Sequence, residues 1–448
     1  MPPEERISIG LWSELPPGAR WTHEGVSRVV GFLVEGAAAG QKYKFHVVVP
    51  RGMGDTVRDD LRDLNAIEGV DWQVWEPSEE DEEQLGKPDQ GGSVDSNRHL
   101  AEFANENVPV EAWVVTFPHF EGSLALSKPK ATLFPDAIPY DFPLGWNDNE
   151  SWTEKGGWPK WRNQATAVMK DSHAVITFSK HVAVRHAGPL CEVPKEKIRV
   201  VPLAPPDLAP ILPFLKDRTQ TPASRRSAAD VLRDYAADED IDYLRYFPFE
   251  EIDFVAAATQ DRPTKNLHLT ADAVRLIVRQ KRRSMKAFLT ARLHWGAPWT
   301  RLPNIVEAEL FNRDLISMPD LPRAVHAALF HAASVVVHSS FFEGIIGALP
   351  FYEANSVGTP ALIASGPHID ELLEIEPDIK PFIYDPYDAG RLADLILDTV
   401  HNRRDYAVAQ RQIFRRVSKH TWSDVASLYA EAALEGVRTS ADQGTEAK

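Results

Sequence analysis

The sequence predicts an α/β fold, because strand-like and helix-like segments alternate along 448 residues. Short apolar runs rich in β-branched residues are separated by glycine- and proline-containing loops and by amphipathic segments with helical periodicity. A chain of this length is expected to form two or three domains. The best-defined unit runs from Val335 to Glu374 and reads as strand, glycine loop, helix and strand.

Composition limits the classes of function. Hydrophobic residues make up 43% of the chain, which is enough for sizeable cores, and the net charge of −16 argues against nucleic-acid partners and against general polybasic attachment to anionic lipid. The single cysteine, Cys191, excludes an internal disulfide and fits a reducing compartment, so we expect a cytoplasmic protein. No apolar run has the length of a membrane span and the N-terminus has no signal-peptide pattern, whereas peripheral membrane contact stays open.

The first domain is predicted to span residues 1–205. Its expected strands are Ile7–Leu11, Phe45–Val49, Trp72–Trp75, Ala112–Phe117, Ala131–Phe134, Ala174–Phe178 and Lys197–Pro202. A helix follows the first strand, beginning near Thr22 or His23. Prolines are dense between Pro202 and Pro210, which favours a linker there.

The second domain is predicted to span residues 206–420, and a final helix and tail residues 421–448. Its expected strands are Ile252–Ala257, Lys286–Thr290, Val335–Val337 and Ala361–Ala364. Helices are expected at 321–333 and 388–418, and the tail beyond Thr439 is expected to be disordered.

The loop after Val337 has the residues of an anion site. It contains Gly344 and Gly347, and a helix is predicted to begin near Pro350 and to end at Gly358. Backbone N–H groups and the positive end of a helix facing one point suit a diphosphate. Glu343 and Glu353 bracket that point, where carboxylates would accept hydrogen bonds from hydroxyl groups. Phosphate together with sugar hydroxyls indicates a sugar nucleotide.

This stretch resembles the signature of the retaining group-1 glycosyltransferases, which have the GT-B fold. The shared pattern is a serine before Glu343–Gly344, a Gly/Pro loop, a second acid at Glu353, then Gly-Thr-Pro and an apolar strand. The family has seven residues between the two acids, whereas this sequence has two more. The resemblance implies two Rossmann-like domains facing across a cleft, with the C-terminal helix crossing back to the first domain. It also implies that Glu343 approaches the donor sugar and Glu353 holds the ribose.

Other segments match the same family. The strand ending at Ala257 leads into a basic loop, and the resemblance assigns Arg262 and Lys265 to the donor diphosphate. His119 resembles a family histidine near the transferred sugar, and Asp136 lies in a half-matched motif after the next strand. Gly25, in a segment that resembles the family's first glycine loop, would approach the donor phosphates or the acceptor. Four tryptophans lie in the loop and helix that follow, and they suit either stacking on sugar rings or packing under a long loop. They are Trp146, Trp152, Trp158 and Trp161.

The implied activity is transfer of a hexose from a GDP- or UDP-linked donor to an acceptor hydroxyl, with retention of configuration, as in polysaccharide biosynthesis. Two strings, EGVSRVV and DAIPYDFP, resemble mannosyltransferase-like members that use GDP-mannose. The acceptor would be a glycan, a lipid-linked sugar or a small molecule. We expect no metal and no cofactor, because cationic side chains serve the diphosphate. The alternatives are a sugar-nucleotide epimerase of the same fold and an inactive nucleotide-sugar-binding subunit, whereas no motif identifies the pyridoxal-binding lysine of a phosphorylase.

Overall fold

The structure is a computed structural model, and it describes residues 6–16, 19, 25–62, 64–81, 94–141, 157–291 and 313–446. These residues form two compact units. The first contains the described residues up to Ala137, those from 157 to Ala204, and those from His420 onward. The second contains the short helix Ile138–Asp141 and the described residues from Pro205 to Lys419.

Two parallel sheets organise the units. Strands β1 to β7 form the first sheet, in the order β3-β2-β1-β4-β5-β6-β7, and β8 to β13 form the second, in the order β10-β9-β8-β11-β12-β13. Both sheets are parallel throughout. The strands are β1 (Ile7–Trp12), β2 (Tyr43–Val48), β3 (Trp72–Trp75), β4 (Ala112–Val115), β5 (Lys130–Leu133), β6 (Ala174–Thr177), β7 (Ile198–Val200), β8 (Phe254–Ala257), β9 (Lys286–Leu289), β10 (Leu315–Ser317), β11 (Val335–His338), β12 (Ala361–Ala364) and β13 (Ile383–Tyr384).

Helices connect the strands in both units, as parallel pairing requires. In the first unit the longer helices are Gly25–Gly40, Gly54–Leu61, Val94–Asn107, Gly157–Asp171 and Trp422–Glu446. In the second they are Pro222–Asp238, Leu267–Arg275, Arg323–Ala332, Leu349–Ser356, Pro367–Ile375, Ala389–His401 and Arg403–Val417, with a single turn at Asp242–Arg245. Within the described residues, no helix is at once long and apolar enough to cross a bilayer.

Each unit has its own aromatic core. In the first, Trp12 and Trp113 meet edge to face with ring centroids 6.0 Å apart, and a side chain at Gly10 would collide with the Trp113 ring. In the second, Phe254 and Phe288 meet edge to face at 4.9 Å inside a larger apolar cluster. These contacts bury large apolar surfaces, the main stabilising term in folding.

The final helix packs on the first helix of the same unit. Phe32 and Trp422 stack with ring centroids 4.5 Å apart, and a side chain at Gly36 would collide with the Trp422 backbone carbonyl. The Arg199 guanidinium also donates to the Glu435 carboxylate, at 2.6 and 3.1 Å. The chain therefore returns to the first unit at its C-terminal end, as the sequence predicts.

The α/β prediction is confirmed, with two differences described next. The second sheet has two further strands, β10 and β13, which are only three and two residues long and therefore too short to show periodicity. The final helix continues to Glu446. The prediction of a disordered tail beyond Thr439 was therefore wrong for the backbone of residues 440–446. Extending a helix that already exists avoids the cost of nucleation, so polar residues can continue it.

Candidate functional site

The candidate donor site lies where β8 and β11, neighbouring strands of the second sheet, both end. In open parallel sheets ligands bind at the carboxyl ends of strands, because the connecting loops meet at that edge. The loop after β8 contains Arg262 and Lys265, and the loop after β11 contains Glu343 and Gly347. The fold therefore brings two predicted motifs, far apart in sequence, to one sheet edge.

Hydrogen bonds join these two loops. Phe341 donates its backbone N–H to the Thr264 carbonyl at 3.0 Å, and the Ser340 hydroxyl donates to the same carbonyl at 3.1 Å. The Ser339 hydroxyl donates to the Lys265 carbonyl at 2.9 Å. The loops thus form one connected structure rather than two independent turns.

Asn266 ties a third loop to this structure. It adopts a left-handed conformation with φ of 51° at the start of the helix Leu267–Arg275, and its side-chain amide donates to the Pro386 carbonyl at 2.8 Å. Pro386 follows β13, so the loop after another strand of the same sheet is held at this edge. Asparagine tolerates the left-handed region better than most residues.

Lys265 and Glu343 form an ion pair at the centre of the connected loops. Lys265 Nζ lies 2.6 Å from Glu343 Oε1 and 2.9 Å from Oε2, and each side chain is 17% exposed. His338, the last residue of β11, has its Nε2 3.1 Å from Glu343 Oε1. Burial raises the pKa of Glu343, but the neighbouring Lys265 and His338 outweigh it and hold that pKa well below its usual value. Glu343 is therefore ionised.

Arg262 lies in the same loop as Lys265. Its carbonyl accepts the Lys265 backbone N–H at 2.9 Å, and its own N–H donates to the Gln260 carbonyl at 3.0 Å. A short 3-10 turn, Pro263–Lys265, begins directly after Arg262 and ends with Lys265. The turn keeps both predicted diphosphate ligands in one compact segment.

Gly347 is required by the backbone but does not present its amide to solvent. It has φ of +79°, and a side chain there would collide with the Tyr352 hydroxyl. Its N–H donates to the His368 carbonyl at 2.8 Å, so this amide is already bonded within the protein. The expectation that the Gly347 amide faces a phosphate is therefore not met in this structure. Gly344, the other glycine of the loop, is buried.

Glu353 lies inside the helix Leu349–Ser356 and is fully buried. Its Oε2 is 3.3 Å from Nε2 of His326, which belongs to the helix Arg323–Ala332. The His326 ring packs on Phe330 with centroids 4.4 Å apart, which limits its orientations. The acid assigned to the ribose is thus present near the helix start, in contact with a histidine that the sequence analysis did not single out.

The first-unit predictions concern a different sheet edge. His119 follows β4 and packs against Phe117 at 4.7 Å and Trp161 at 4.5 Å. Neither ring nitrogen has a hydrogen-bond partner among the residues that the structure describes, and burial lowers the pKa of His119 to about 3. The imidazole is therefore neutral at physiological pH. Of the predicted tryptophan group, Trp146 and Trp152 lie outside the described residues, as does the side chain of Trp158.

Asp136 and Gly25 are the other two candidates of the first unit. Asp136 is partly buried and follows β5, the neighbour of β4, so both first-unit candidates come after adjacent strands. Gly25 is exposed at the start of the helix Gly25–Gly40, and a side chain added there would meet nothing within 4 Å. No steric contact within the described residues therefore requires glycine at position 25.

Glu14 is a partly buried acid that the sequence analysis missed. It follows β1, and its carboxylate accepts hydrogen bonds from Trp12 Nε1 at 2.7 Å, Asn97 Nδ2 at 2.7 Å and the Ser123 backbone N–H at 3.2 Å. Burial raises the pKa of Glu14 to about 8. The sequence signal for Glu14 was an acid shortly after a buried strand, where parallel sheets bind ligands. Strand β1 pairs with β4, so Glu14 follows a strand adjacent to the one that His119 follows.

Glu14 gives the fold a testable pH dependence. Because its pKa is raised on folding, the folded state binds more protons than the unfolded state between about pH 4.5 and 8, and stability falls as the pH rises through that window. Glu14→Gln should remove this contribution, which is of the order of a few kcal/mol. Denaturant unfolding at pH 5 and pH 8 measures it. Glu111→Gln, at an exposed acid of the same unit, is the control. An unchanged pH slope in Glu14→Gln would contradict the assignment.

Comparison with known proteins supports the fold. No protein-family model matches the sequence, and a search of curated proteins found no relative. Among solved structures, HepE from Anabaena in complex with UDP-glucose is similar at 14% identity and a TM-score of 0.62, covering 96% of this chain and 98% of that one. Sucrose-phosphate synthase from Thermosynechococcus elongatus is similar at 13% identity and 0.65, covering 95% and 98%.

A third similar structure is α,α-trehalose 6-phosphate synthase from Burkholderia multivorans, at 13% identity and a TM-score of 0.58, covering 97% of this chain and all of that one. At these identities the similarity establishes the fold alone. It extends over nearly the whole chain, so the expected α/β fold with two Rossmann-like domains, of the GT-B class, is confirmed.

Proposed function

We propose that this protein is a glycosyltransferase that moves a sugar from a UDP-linked donor to an acceptor hydroxyl, with retention of configuration. The observation that carries the proposal is the joined pair of loops after β8 and β11, which holds Lys265 against Glu343 beside a helix start. A cation for a diphosphate and an acid for sugar hydroxyls are the groups that a nucleotide sugar needs. The whole-chain similarity to structures of sugar-transferring proteins points in the same direction.

The chemistry follows from charge development. The bond between the sugar carbon and the diphosphate oxygen breaks, the acceptor oxygen forms the new bond on the same face, and the acceptor proton passes to the departing phosphate. Lys265 and Arg262 stabilise the negative charge of the leaving diphosphate. Glu343 orients the sugar through its hydroxyls and Glu353 binds the ribose. We assign no metal to this reaction and expect it to proceed in EDTA.

The first unit supplies the acceptor side in this proposal. His119 is neutral and buried among aromatic rings, which suits contact with the uncharged sugar rather than with phosphate. Asp136 is partly buried after the next strand, and we assign it to acceptor or sugar hydroxyls. Gly25, at the start of the first helix, is assigned to the donor phosphates or the acceptor, with the open space at its Cα as the supporting observation.

We prefer a uridine donor over GDP-mannose. The mannosyltransferase-like strings in the sequence favour GDP-mannose, but the similar structure of HepE contains UDP-glucose. The acceptor class stays a glycan, a lipid-linked sugar or a small molecule. The cytoplasm is the proposed location, since the sequence has a single cysteine, Cys191, and that residue is buried and unpaired.

A ligand panel tests the proposal directly. The thermal stability of the protein is measured with UDP, UDP-glucose, GDP and GDP-mannose, where a ligand at 100 times its dissociation constant stabilises by about 2.7 kcal/mol. We expect UDP and UDP-glucose to stabilise and the guanosine ligands to have little effect. Incubation of UDP-glucose with candidate acceptors, followed by NMR of the anomeric proton, then reports transfer and configuration.

The other outcomes separate the alternatives. Interconversion of the donor sugar without acceptor would identify an epimerase, and binding without any turnover would identify a nucleotide-sugar-binding subunit. If none of the four ligands stabilises the protein, the proposal of a nucleotide-sugar site is wrong.

A further inference from the structure

Glu343 has two nitrogen-bearing neighbours, Lys265 and His338, and only Lys265 is assigned to the donor phosphates. Lys265 Nζ contacts both carboxylate oxygens at 2.6 and 2.9 Å, whereas His338 Nε2 contacts only Oε1 at 3.1 Å. This inference rests on the proposed function, in which Lys265 binds the diphosphate. The diphosphate of a nucleotide sugar carries two negative charges and competes strongly with a single carboxylate for the same ammonium group.

Loss of the Lys265 contact would leave Glu343 in need of another partner. The Glu343 side chain is only 17% exposed, and a buried carboxylate without a partner carries a large desolvation cost. Within the described residues, the other close contact of its carboxylate is with His338. As the side chains now lie, His338 Nε2 is close to Oε1 but makes no aligned hydrogen bond within the described residues. Once Lys265 has left, a small rotation of the carboxylate would let an N–H on Nε2 donate to Oε1.

The position of His338 is fixed by its strand and by a hydrogen bond to its backbone. It is the last residue of β11, only 4% exposed, and its carbonyl accepts a hydrogen bond from the Tyr384 hydroxyl at 2.9 Å. Tyr384 belongs to β13, so His338 is fixed both by its own strand and by a side chain from another strand of the sheet. Lys265, by contrast, has a long side chain in a loop.

We propose that His338 is a positioning residue that holds the Glu343 carboxylate in place for the donor sugar once Lys265 has paired with the diphosphate. His338 itself touches neither the sugar nor the phosphates in this assignment. It acts on sugar recognition through Glu343, and the nucleotide part of the donor is bound without it.

The test compares a nucleotide with its sugar conjugate. Dissociation constants for UDP and UDP-glucose are measured by calorimetry on the wild-type protein and on His338→Leu, which removes the nitrogen and keeps an apolar side chain. We expect the UDP constant to change less than twofold and the ratio of the UDP-glucose constant to the UDP constant to rise about tenfold, since about 1.4 kcal/mol corresponds to a factor of ten. His338→Gln, which keeps an N–H donor, should restore part of the lost affinity and guards against misfolding of the leucine variant.

A double-mutant cycle shows whether the effect passes through Glu343. If it does, His338→Leu combined with Glu343→Gln should change the ratio no more than Glu343→Gln alone. Additive effects of the two substitutions, or an unchanged ratio in both His338 variants, would overturn the positioning role. Failure of the proposed function looks different, because the wild-type protein itself would then bind neither UDP nor UDP-glucose.

Discussion

Replacing Lys265 by alanine is expected to abolish the stabilisation of the protein by UDP and UDP-glucose. A charge-assisted hydrogen bond contributes about 1.5–3 kcal/mol, and the lysine is assigned to the charge-rich diphosphate. A hundredfold loss of affinity would reduce a stabilisation of about 2.7 kcal/mol to about 0.4 kcal/mol at the same ligand concentration. Thermal shift with both ligands measures this change.

The thermal shift of Lys265→Ala has to be corrected for the lower stability of the ligand-free variant. Lys265→Ala removes one partner of a nearly buried ion pair and leaves Glu343 with His338, so the ligand-free variant is expected to melt at a lower temperature. Each shift is therefore measured against the ligand-free form of the same variant, and Lys265→Ala combined with Glu343→Gln removes the unpaired charge. Lys281→Ala breaks an exposed ion pair with Asp394 in the same unit and is the matched control.

A Lys265→Ala protein that keeps the wild-type shift while Lys281→Ala also keeps it would contradict the diphosphate assignment. The loops after β8 and β11 would then be a structural junction, with their hydrogen bonds serving stability alone.

Replacing Glu353 by glutamine is expected to weaken UDP binding at least tenfold. Glutamine has nearly the same shape, so the helix Leu349–Ser356 should persist, whereas the charge that accepts hydrogen bonds from ribose hydroxyls is lost. In this structure the carboxylate is fully buried beside His326, so a ribose reaches it only when neighbouring atoms move aside. Calorimetry with UDP measures the loss.

Comparison with 2′-deoxy-UDP makes the ribose assignment specific. The wild-type protein should bind the deoxy nucleotide more weakly than UDP, and that difference should disappear in Glu353→Gln if Glu353 contacts the ribose hydroxyls. Glu374→Gln, at an exposed acid on the helix Pro367–Ile375, is the control. A deoxy penalty of the same size in both Glu353→Gln and the wild type would show that Glu353 supports the fold through His326 and does not bind ribose.

Local patterns in the sequence predicted much of the architecture. Buried parallel strands read as apolar runs, which is why the seven strands of the first sheet were all expected near their observed positions. Glycine past a helix end is equally local, and Gly358 has φ of +82° two residues after the helix Leu349–Ser356. The strands β10 and β13 were missed because they are too short to show a pattern of their own, and pairing with β9 and β12 makes them strands.

In the candidate site, too, the sequence indicated some features and only the tertiary structure determined the others. The glycine loop and the acids that flank it drew attention to Glu343 and Glu353, and the resemblance to the glycosyltransferase family added Lys265. Their partners were decided only by the tertiary structure. The pairing of β8 with β11 brings Lys265 to Glu343 across 78 positions of chain, and the packing of two helices brings His326 to Glu353. Periodicity reports which face of a segment is buried, but a contact between distant side chains depends on how the strands are ordered in the sheet.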